Sequence, residues 1–325
     1  MLKKILLLSI FILNVLLYAE EENSYGWNVP HTTLNIGGYL DMTYDAKRED
    51  AFLFNDIALL FFAHKDKFSI IGEVELSNIS LEGKSNQSSD VDLVLERLEL
   101  IYAIDDKQKI KIGRFHSDIG FWNQAPITIL QDTTTKPHMV KHMYPQITTG
   151  ALYNYQYNNT HAVSFTLQHN NIDLEEDNSF TRDRVIVDRH FAFAYHYTRD
   201  LFSWSLSSGM YREYDLKKKS YYAGIGFQYE SDNYEIQAEL FTQQSNDIKD
   251  RPYSGYLQTL FHIQDKQDIV LRFESYKDNV ISIKEENYLL GYVYRPWNNI
   301  VFKAEYIYHS KLPLNRVVSS ISVLF

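Results

Sequence analysis

Charged side chains alternate with apolar ones in several stretches of about ten residues. Side chains two positions apart on a strand share a face, so Glu235 and Glu239 are predicted to lie together on a polar face. The charged residues assigned to such faces are Asp41, Glu73, Glu75, Glu99, Glu235, Glu239, Glu274, Glu305, Arg97, Lys111, Arg272 and Lys303. Acids outnumber bases about two to one. The pattern therefore predicts a water-facing wall with a net negative charge. Carboxylates gathered along such a wall attract cations.

A second group of charged residues lies in a long stretch without alternation, residues 116–147, which follows Arg114 closely. The candidate functional side chains of this stretch are Asp118, Asp132, Lys136, His138, Lys141 and His142. On a helix, the spacing of His138 and His142 would direct two imidazoles toward one metal ion. No third ligand is evident and a solvated turn is the favoured alternative, so we predict no metal and no cofactor.

The acidic stretch at residues 173–178 offers oxygen ligands of the kind that calcium prefers. A solvated external loop is the favoured explanation of such a charge run. Serines and histidines are scattered, and their spacing singles out no nucleophile with a base and an orienting group. We therefore predict that the protein is not an enzyme.

The N-terminus has the order of a secretory signal peptide. Lys3 and Lys4 precede an apolar run from Ile5 to Leu17, and Ala19 offers a small residue for cleavage. The alternative is a membrane anchor, but the run is shorter than the roughly 20 apolar residues that span a bilayer. We predict a signal peptide at residues 1–19 and a single domain at residues 20–325.

Composition limits the function classes. The formal net charge is −10, and it becomes −12 when the two lysines of the predicted signal peptide are removed. A balance of this sign argues against nucleic acid, whose phosphates require a basic surface. There is no cysteine, so an exported chain of this kind is stabilised by burial, by a metal or by a membrane rather than by disulfides.

Period-two alternation recurs to the last residue and predicts about sixteen strands. Their predicted starts are Thr33, Phe52, Lys67, Val91, Gln108, Ile147, Thr160, Asp188, Leu201, Ser220, Asn233, Tyr253, Asp268, Asn287, Asn299 and Arg316. The predicted connections alternate between short turns and longer loops. The strand near Val91 is the least regular, because Glu96 and Arg97 interrupt its phase.

A soluble sandwich would also alternate, with its apolar faces turned inward. Three features favour a transmembrane barrel: aromatic residues at strand ends, segment lengths near the nine to eleven residues of a membrane strand, and the alternation of short and long connections. Closure removes edges that lipid would not tolerate. We therefore predict an all-β fold, a transmembrane antiparallel barrel in which an even strand number leaves both termini in the periplasm.

The long stretch 116–147 interrupts this regular pattern. Long connections without regular structure inside a compact domain are usually functional. We expect the stretch to fold toward the pore and narrow it, with Arg114, Asp118, Lys136 and Lys141 near the narrowest point. The alternative is an external loop that lies over the rim or against a neighbouring subunit.

The chain ends in a strand whose last residue is Phe325. Val317, Ile321, Val323 and Phe325 are predicted to share one face. A final strand ending in phenylalanine is typical of the signal that the barrel assembly machinery reads on outer-membrane barrels. We predict this role for Phe325, and an ordinary terminal strand is the alternative.

This layout resembles the sixteen-stranded porins of Gram-negative bacteria. The passages 111–115 (Lys-Ile-Gly-Arg-Phe) and 120–123 (Gly-Phe-Trp-Asn) look like the start of the constriction loop in porins of the phosphate-selective O and P type. The resemblance implies an outer-membrane homotrimer, contact with lipid and lipopolysaccharide, and transport of small hydrophilic solutes and ions.

The function that we expect is passive diffusion through a pore with a modest preference for cations. Two alternatives remain open. One is a substrate-specific channel for an anion such as phosphate, and the other is a structural or adhesive barrel that does not conduct.

Overall fold

The computed structural model of the protein describes residues 26–48, 51–80, 92–169, 187–213, 217–246, 251–278 and 283–325. The predicted signal peptide and the acidic stretch at residues 173–178 lie outside the described residues. Within these ranges no helix is long and apolar enough to cross a membrane.

Seventeen strands make up most of this structure. They are β1 (Trp27–Asn28), β2 (Leu34–Asp45), β3 (Phe52–Lys65), β4 (Phe68–Ser80), β5 (Asp92–Ala103), β6 (Gln108–His116), β7 (Ile147–Gln156), β8 (His161–His169), β9 (Val187–Arg199), β10 (Phe202–Glu213), β11 (Lys219–Glu230), β12 (Tyr234–Ser245), β13 (Tyr253–Gln264), β14 (Gln267–Asp278), β15 (Ile283–Trp297), β16 (Ile300–His309) and β17 (Arg316–Leu324). Between β6 and β7 lie two 3-10 helices, Trp122–Gln124 and Thr128–Leu130, and one short α-helix, α1 (His138–His142).

Sixteen of the strands form a closed antiparallel barrel. Each strand from β2 to β17 pairs with its neighbour in sequence, and β17 pairs back to β2 from Val318 opposite Asp45 to Leu324 opposite Tyr39. The prediction of a closed barrel of about sixteen strands is therefore confirmed. The additional strand β1 was not predicted, and it pairs with β2 at Asn35 and Ile36, beyond the point where β17 ends.

Most predicted strand starts lie within one or two residues of the observed ones. The largest difference is β15, which begins at Ile283 rather than Asn287 and ends at Trp297, two residues before the predicted start of the next strand at Asn299. Its cross-strand pairing with β14 extends to Ile283, so tertiary hydrogen bonding lengthens the strand beyond its alternating sequence. Short and long connections alternate around the barrel as predicted.

The two faces of the wall differ in chemistry as the alternation predicts. Large apolar side chains such as Ile225, Leu240 and Phe302 are exposed on the outer face, whereas charged and hydroxyl side chains are buried on the inner face. In water such an exposed apolar wall would be strongly unfavourable, and in a bilayer it is the expected outer surface. Ile300 lies beside a short turn and is buried, unlike these outer-face residues.

Two β-bulges shift the phase of strands on the same side of the barrel. Glu73 pairs with Arg97 and Val74 pairs with Leu95, so Glu96 is an extra residue in β5. Glu96 and Arg97 therefore interrupt the alternation for a physical reason, since a bulge places two residues opposite one. Asn55 is the extra residue of a second bulge, in β3.

The first and last strands meet at a seam near the short-turn end of the barrel. The amide of Phe325 donates to the carbonyl of Gly38, and the amide of Gly38 donates to the carbonyl of Phe325, both at 2.8 Å. A Cβ atom on Gly38 would lie 2.4 Å from the carbonyl oxygen of Ala58 and 3.0 Å from the Phe325 ring. Glycine at position 38 therefore allows the close approach of both the neighbouring strand and the terminal ring.

Candidate functional site: the inner segment of the barrel

Residues 117–146 leave the barrel wall after β6 and return to it at β7. We call this stretch the inner segment, because its contacts are with side chains on the inner face of the wall. Its two ends are joined by a hydrogen bond from the Ser117 amide to the Gln146 carbonyl at 2.8 Å. The side-chain amide of Asn123 donates to the carbonyls of both end residues, that of Ser117 at 2.7 Å and that of Gln146 at 2.9 Å.

Three wall carboxylates hold the main chain of the inner segment. Glu239 accepts hydrogen bonds from the amides of Phe121 at 3.1 Å and Trp122 at 3.0 Å. Glu305 accepts from the amides of Thr134 at 3.1 Å and Thr135 at 2.9 Å, and Glu274 accepts from the amide of His138 at 3.0 Å. Irregular backbone in a barrel needs such partners, because unsatisfied amides are costly where water is scarce.

Basic wall residues hold the carbonyl and hydroxyl groups of the same segment. Arg272 donates to the Thr133 hydroxyl at 2.7 Å and to the Thr135 carbonyl at 2.8 Å, and it pairs with Glu274 at 2.7 Å. The ammonium of Lys303 donates to the carbonyl of Thr128. The inner segment is thus fixed to the wall by charge-assisted hydrogen bonds from acids and bases alike.

An apolar layer lies between the segment and the wall. Ile119, Trp122 and Met139 of the segment pack with Tyr211, Tyr222, Phe241 and Tyr256 of strands β10 to β13. The indole of Trp122 meets the ring of Tyr256 edge-on, with the centroids 6.0 Å apart, and Arg272 lies over the indole at 5.6 Å. This packing holds the segment against the inner face of strands β10 to β13.

The histidines of α1 are stacked rather than arranged around an ion. The ring of His138 lies between those of His142 at 4.1 Å and Tyr276 at 3.7 Å. Among the described residues, no group of three or more His, Asp or Glu side chains has an arrangement that could hold a metal ion. The alternative of a calcium site at residues 173–178 falls outside these residues.

The wall of β2 to β5 carries a dense group of acids. Asp41 and Asp56 are direct cross-strand partners, and both are almost completely buried. The hydroxyl of Tyr39 donates to Glu73 at 2.8 Å and also to Glu75. No described residue donates a hydrogen bond to Asp56 Oδ1 or to Glu75 Oε2. We call Asp41, Asp56, Glu73 and Glu75 the acidic wall.

Two basic residues form ion pairs with acids of strands β4 and β5. Arg97 lies 2.8 Å from Glu73, and Lys111 lies 2.8 Å from Glu99. Arg114 is buried, and its Nε donates to the Leu95 carbonyl at 2.7 Å beside the β5 bulge. Arg114 therefore supports the wall at a point where the strand is irregular.

The inner segment also carries the two lysines that were predicted near the narrowest point, Lys136 and Lys141. Lys136 interacts electrostatically with both Asp41 and Asp56, so it brings a positive charge toward the acidic wall. Lys141 of α1 is exposed. The segment thus presents positive charge toward a wall that is mainly negative.

Two further predicted acids lie outside the acidic wall. Asp118 lies at the start of the inner segment, and Glu235 lies at the short-turn end of the barrel. Asp118 has a carboxylate oxygen 3.1 Å from Nε2 of His196. Burial alone would raise the pKa of Asp118, but its interactions with His196 and Ser164 hold it below the usual value. Glu235 lies beside the short turn before β12, more than a third exposed, with its carboxylate 3.6 Å from the His262 ring.

Sequence reasoning missed several residues of this site. Asp56 and Glu96 were not assigned to the polar face, because the two bulges shift the phase around them. Arg295 was not among the predicted residues, and it bridges Asp132 at 2.9 Å and Asp268 at 3.0 Å. Many tyrosines of the described strands lie on the outer wall. Six others are buried within the barrel: Tyr39, Tyr144, Tyr211, Tyr222, Tyr256 and Tyr276.

Comparison with known proteins gives one clear result. No family model and no curated protein matches the sequence. Among solved structures, the anion-selective porin from Comamonas acidovorans aligns with a TM-score of 0.65 at 12% identity, over 91% of this chain and 100% of that one. The chain has the porin fold.

Other solved structures agree with this assignment. Salmonella typhi OmpF, in complex with daunomycin, aligns with a TM-score of 0.66 at 12% identity, over 90% of this chain and 98% of that one. The trimer form of OmpT, an outer-membrane protein of Vibrio cholerae, aligns with a TM-score of 0.61 at 10% identity, over 90% and 99%. At such identities the similarity is one of fold, and it does not extend to a substrate.

Proposed function

We propose that the protein is an outer-membrane porin through which small hydrophilic solutes and ions diffuse passively. The observation that carries this proposal is the division of the wall into an apolar outer face and a charged inner face around a closed barrel. We propose no enzymatic activity, in keeping with the channel role of a porin.

The inner segment narrows this channel. Its support is the set of five main-chain hydrogen bonds to Glu239, Glu274 and Glu305, which keep residues 121–138 against the wall of β12 to β16. Stepwise conductance of the purified protein in planar bilayers tests the proposal. A folded protein that gives no channels would contradict it and favour the structural or adhesive barrel.

The channel prefers cations. Glu239, Glu274 and Glu305 accept hydrogen bonds from the inner segment, Glu73 pairs with Arg97, and Glu99 pairs with Lys111. The proposed cation preference therefore depends mainly on the other acids of the acidic wall, Asp41, Asp56 and Glu75. Asp41 and Asp56 lie directly opposite each other, where like charges are unfavourable without a cation nearby. A mobile cation or Lys136 offsets this repulsion.

Reversal potentials across a salt gradient test the preference. The D41N/D56N double variant should lower cation preference, most clearly near 0.01–0.1 M salt, where charges are screened over about 30 to 10 Å. The matched control is E230Q, which removes an exposed acid beside a short turn. Anion preference in the wild-type protein would contradict this proposal.

A second candidate is an anion channel, favoured by the positions of Lys136 and Lys141 on the inner segment and by the anion selectivity of the Comamonas acidovorans neighbour. For that channel, K136Q would reduce anion conductance, whereas for a cation channel K136Q would raise cation preference. The sign of the change separates the two candidates.

The trimer form of the Vibrio cholerae neighbour supports assembly of this chain as a homotrimer. Lipid and lipopolysaccharide surround the outer wall in this proposal, and Phe325 is the residue that the assembly machinery recognises. Mass measurement in mild detergent tests the trimer, and a monomeric mass would contradict it.

A further inference from the structure

Large apolar side chains occur on the inner face of the barrel wall as well as on the outer face. Leu60 is the direct cross-strand partner of Glu73, and Ile71 is the direct partner of Glu99. Direct cross-strand partners lie on the same face of a sheet, so Leu60 and Ile71 face the lumen together with those two acids. Lipid explains the apolar side chains of the outer wall, but it does not explain these.

Two further apolar residues extend this surface toward the short turns. Phe62 is the direct partner of Ile71, and Ile101 is the direct partner of Lys111, whose ammonium pairs with an inner-face acid. The side chain of Phe62 is 42% exposed, and the other three are partly exposed. We call Leu60, Phe62, Ile71 and Ile101 the apolar patch. An exposed apolar surface with a polar rim is typical of a binding site.

The apolar patch lies on the short-turn side of the acidic wall. Along β4, the inner-face positions run from Ser69 beside the short turn through Ile71 to Glu73 and Glu75. Successive positions on one face of a strand are about 7 Å apart, so Ile71 lies about 13 Å from Glu75 and Leu60 is one step nearer. A molecule about 7–13 Å long can therefore contact the patch and the Glu75 carboxylate together.

Glu75 differs from the acids directly beside the patch, which are paired with Arg97 and Lys111. The hydroxyl of Tyr39 donates to one oxygen of the Glu75 carboxylate, and no described residue donates to the other, Oε2. The charged groups that act most strongly on Glu75 are other acids, and its side chain is only 3% exposed. Because solvent screens little there, a cation that reaches this carboxylate is strongly attracted.

We propose that the lumen binds primary amines that carry an apolar group, with the ammonium at Glu75 and the apolar group on the apolar patch. The Glu75 carboxylate turns from Tyr39 toward the lumen to receive the ammonium. This assignment rests on the proposed channel, since a solute reaches the inner wall through the lumen. It adds amphipathic cations to the hydrophilic solutes and ions of that channel.

The test uses the full chain in mild detergent and three probes: phenethylammonium, its neutral analogue 2-phenylethanol, and ethanolammonium, which lacks the ring. Binding is measured by isothermal titration calorimetry, with the heat of titration into detergent alone subtracted. Phenethylammonium should bind about tenfold more tightly than either other probe, because a buried apolar group and a hydrogen bond to a charged group each contribute about a tenfold effect. This comparison is made on the wild-type chain, so it decides the question even where a variant does not fold.

Two variants remove the two halves of the site separately. F62S/I71S should lower the affinity for phenethylammonium about tenfold, to that of ethanolammonium, and E75Q should lower it to that of 2-phenylethanol. The matched controls are F68S, which removes an exposed outer-face ring at the same end of the barrel, and E230Q, which removes an exposed acid beside another short turn. Both controls should bind phenethylammonium as the wild-type chain does.

Equal affinity of the wild-type chain for the three probes would overturn the proposal, and so would unchanged binding of phenethylammonium in E75Q or in F62S/I71S. An equal loss in F68S would also overturn it, because the amine would then bind at the outer wall. Calorimetry requires no ion current. Selective binding without channels in planar bilayers would refute the channel and keep this site, whereas channels without selective binding would refute this site and keep the channel.

Discussion

The anchoring of the inner segment by Glu239 leads to the most demanding prediction. Replacing Glu239 with alanine removes the acceptor for the amides of Phe121 and Trp122 and for the hydroxyl of Tyr256, which donates at 2.7 Å. The side chain is only 2% exposed, so water does not already share these bonds. Hydrogen bonds to a charged group contribute about 1.5–3 kcal/mol each.

Three such bonds would sum to about 4.5–9 kcal/mol, but water that enters after the substitution recovers part of this. We therefore expect E239A to lower the free energy of unfolding by about 4 kcal/mol, near the lower limit. E239Q should lose less, because its amide oxygen can still accept one of the segment amides. The freed segment should make single-channel conductance larger and noisier.

Two assays on the same preparations check these expectations: unfolding by denaturant in lipid vesicles, and single-channel recording in planar bilayers. E230A serves as the control, because Glu230 is exposed beside a short turn, where it accepts a hydrogen bond from Gln228. If E239A matched E230A in both stability and conductance, the anchoring role of Glu239 would be refuted. If only stability fell, the segment would be anchored there without limiting the pore.

Further expected outcomes concern the wall, the acid response and the seam. Arginine at Ile225 or Phe302 should destabilise the barrel by about 2–4 kcal/mol in vesicle unfolding experiments, because charge on the lipid face is costly. Arginine at Gln228 should be tolerated. Equal effects at the three positions would contradict the assignment of faces. Because the pKa of Asp118 is lowered in the folded protein, its ionised form stabilises the fold at neutral pH, and this contribution is lost as pH falls below about 4. D118N should therefore have a lower unfolding temperature at pH 7 and a weaker acid dependence below about pH 4; an unchanged acid dependence would exclude this role. F325A should lower the yield of folded barrel in the outer membrane without a comparable loss in refolding from urea, and equal losses in both would indicate a purely structural role.

Most of the barrel can be predicted from sequence because alternation is a local property of a strand. Strand β11 shows this clearly, since Tyr221 and Ile225 are exposed and Tyr222 is buried, as period-two geometry requires. The prediction failed where the alternation of exposed and buried residues along a strand is interrupted. The extra residues Asn55 and Glu96 shift their strands by one position, and a bulge depends on the partner strand, which the local pattern does not identify.

The candidate site was predictable in composition but not in arrangement. Glu235 and Glu239 share a strand and a face, yet the first lies at the barrel mouth and the second lies beneath the inner segment. This difference arises from contacts between residues more than a hundred positions apart, which no local pattern encodes. Glu239, Glu274 and Glu305 anchor the inner segment because the segment passes along the strands that carry them. The acidic wall lies on other strands, β2 to β4.

The donors that fix the inner segment to Glu239, Glu274 and Glu305 are main-chain amides, so the anchors do not depend on the side chains at those positions. Gln124 and Leu130 are exposed on the same segment, and Leu130 is 61% exposed. If the inner segment lines the pore as proposed, substitutions at these two exposed positions would change the lining and leave the anchoring hydrogen bonds in place. A pore engineered for sensing, or one that evolves under changing nutrients, could then acquire new chemistry at Gln124 and Leu130 while the barrel is kept.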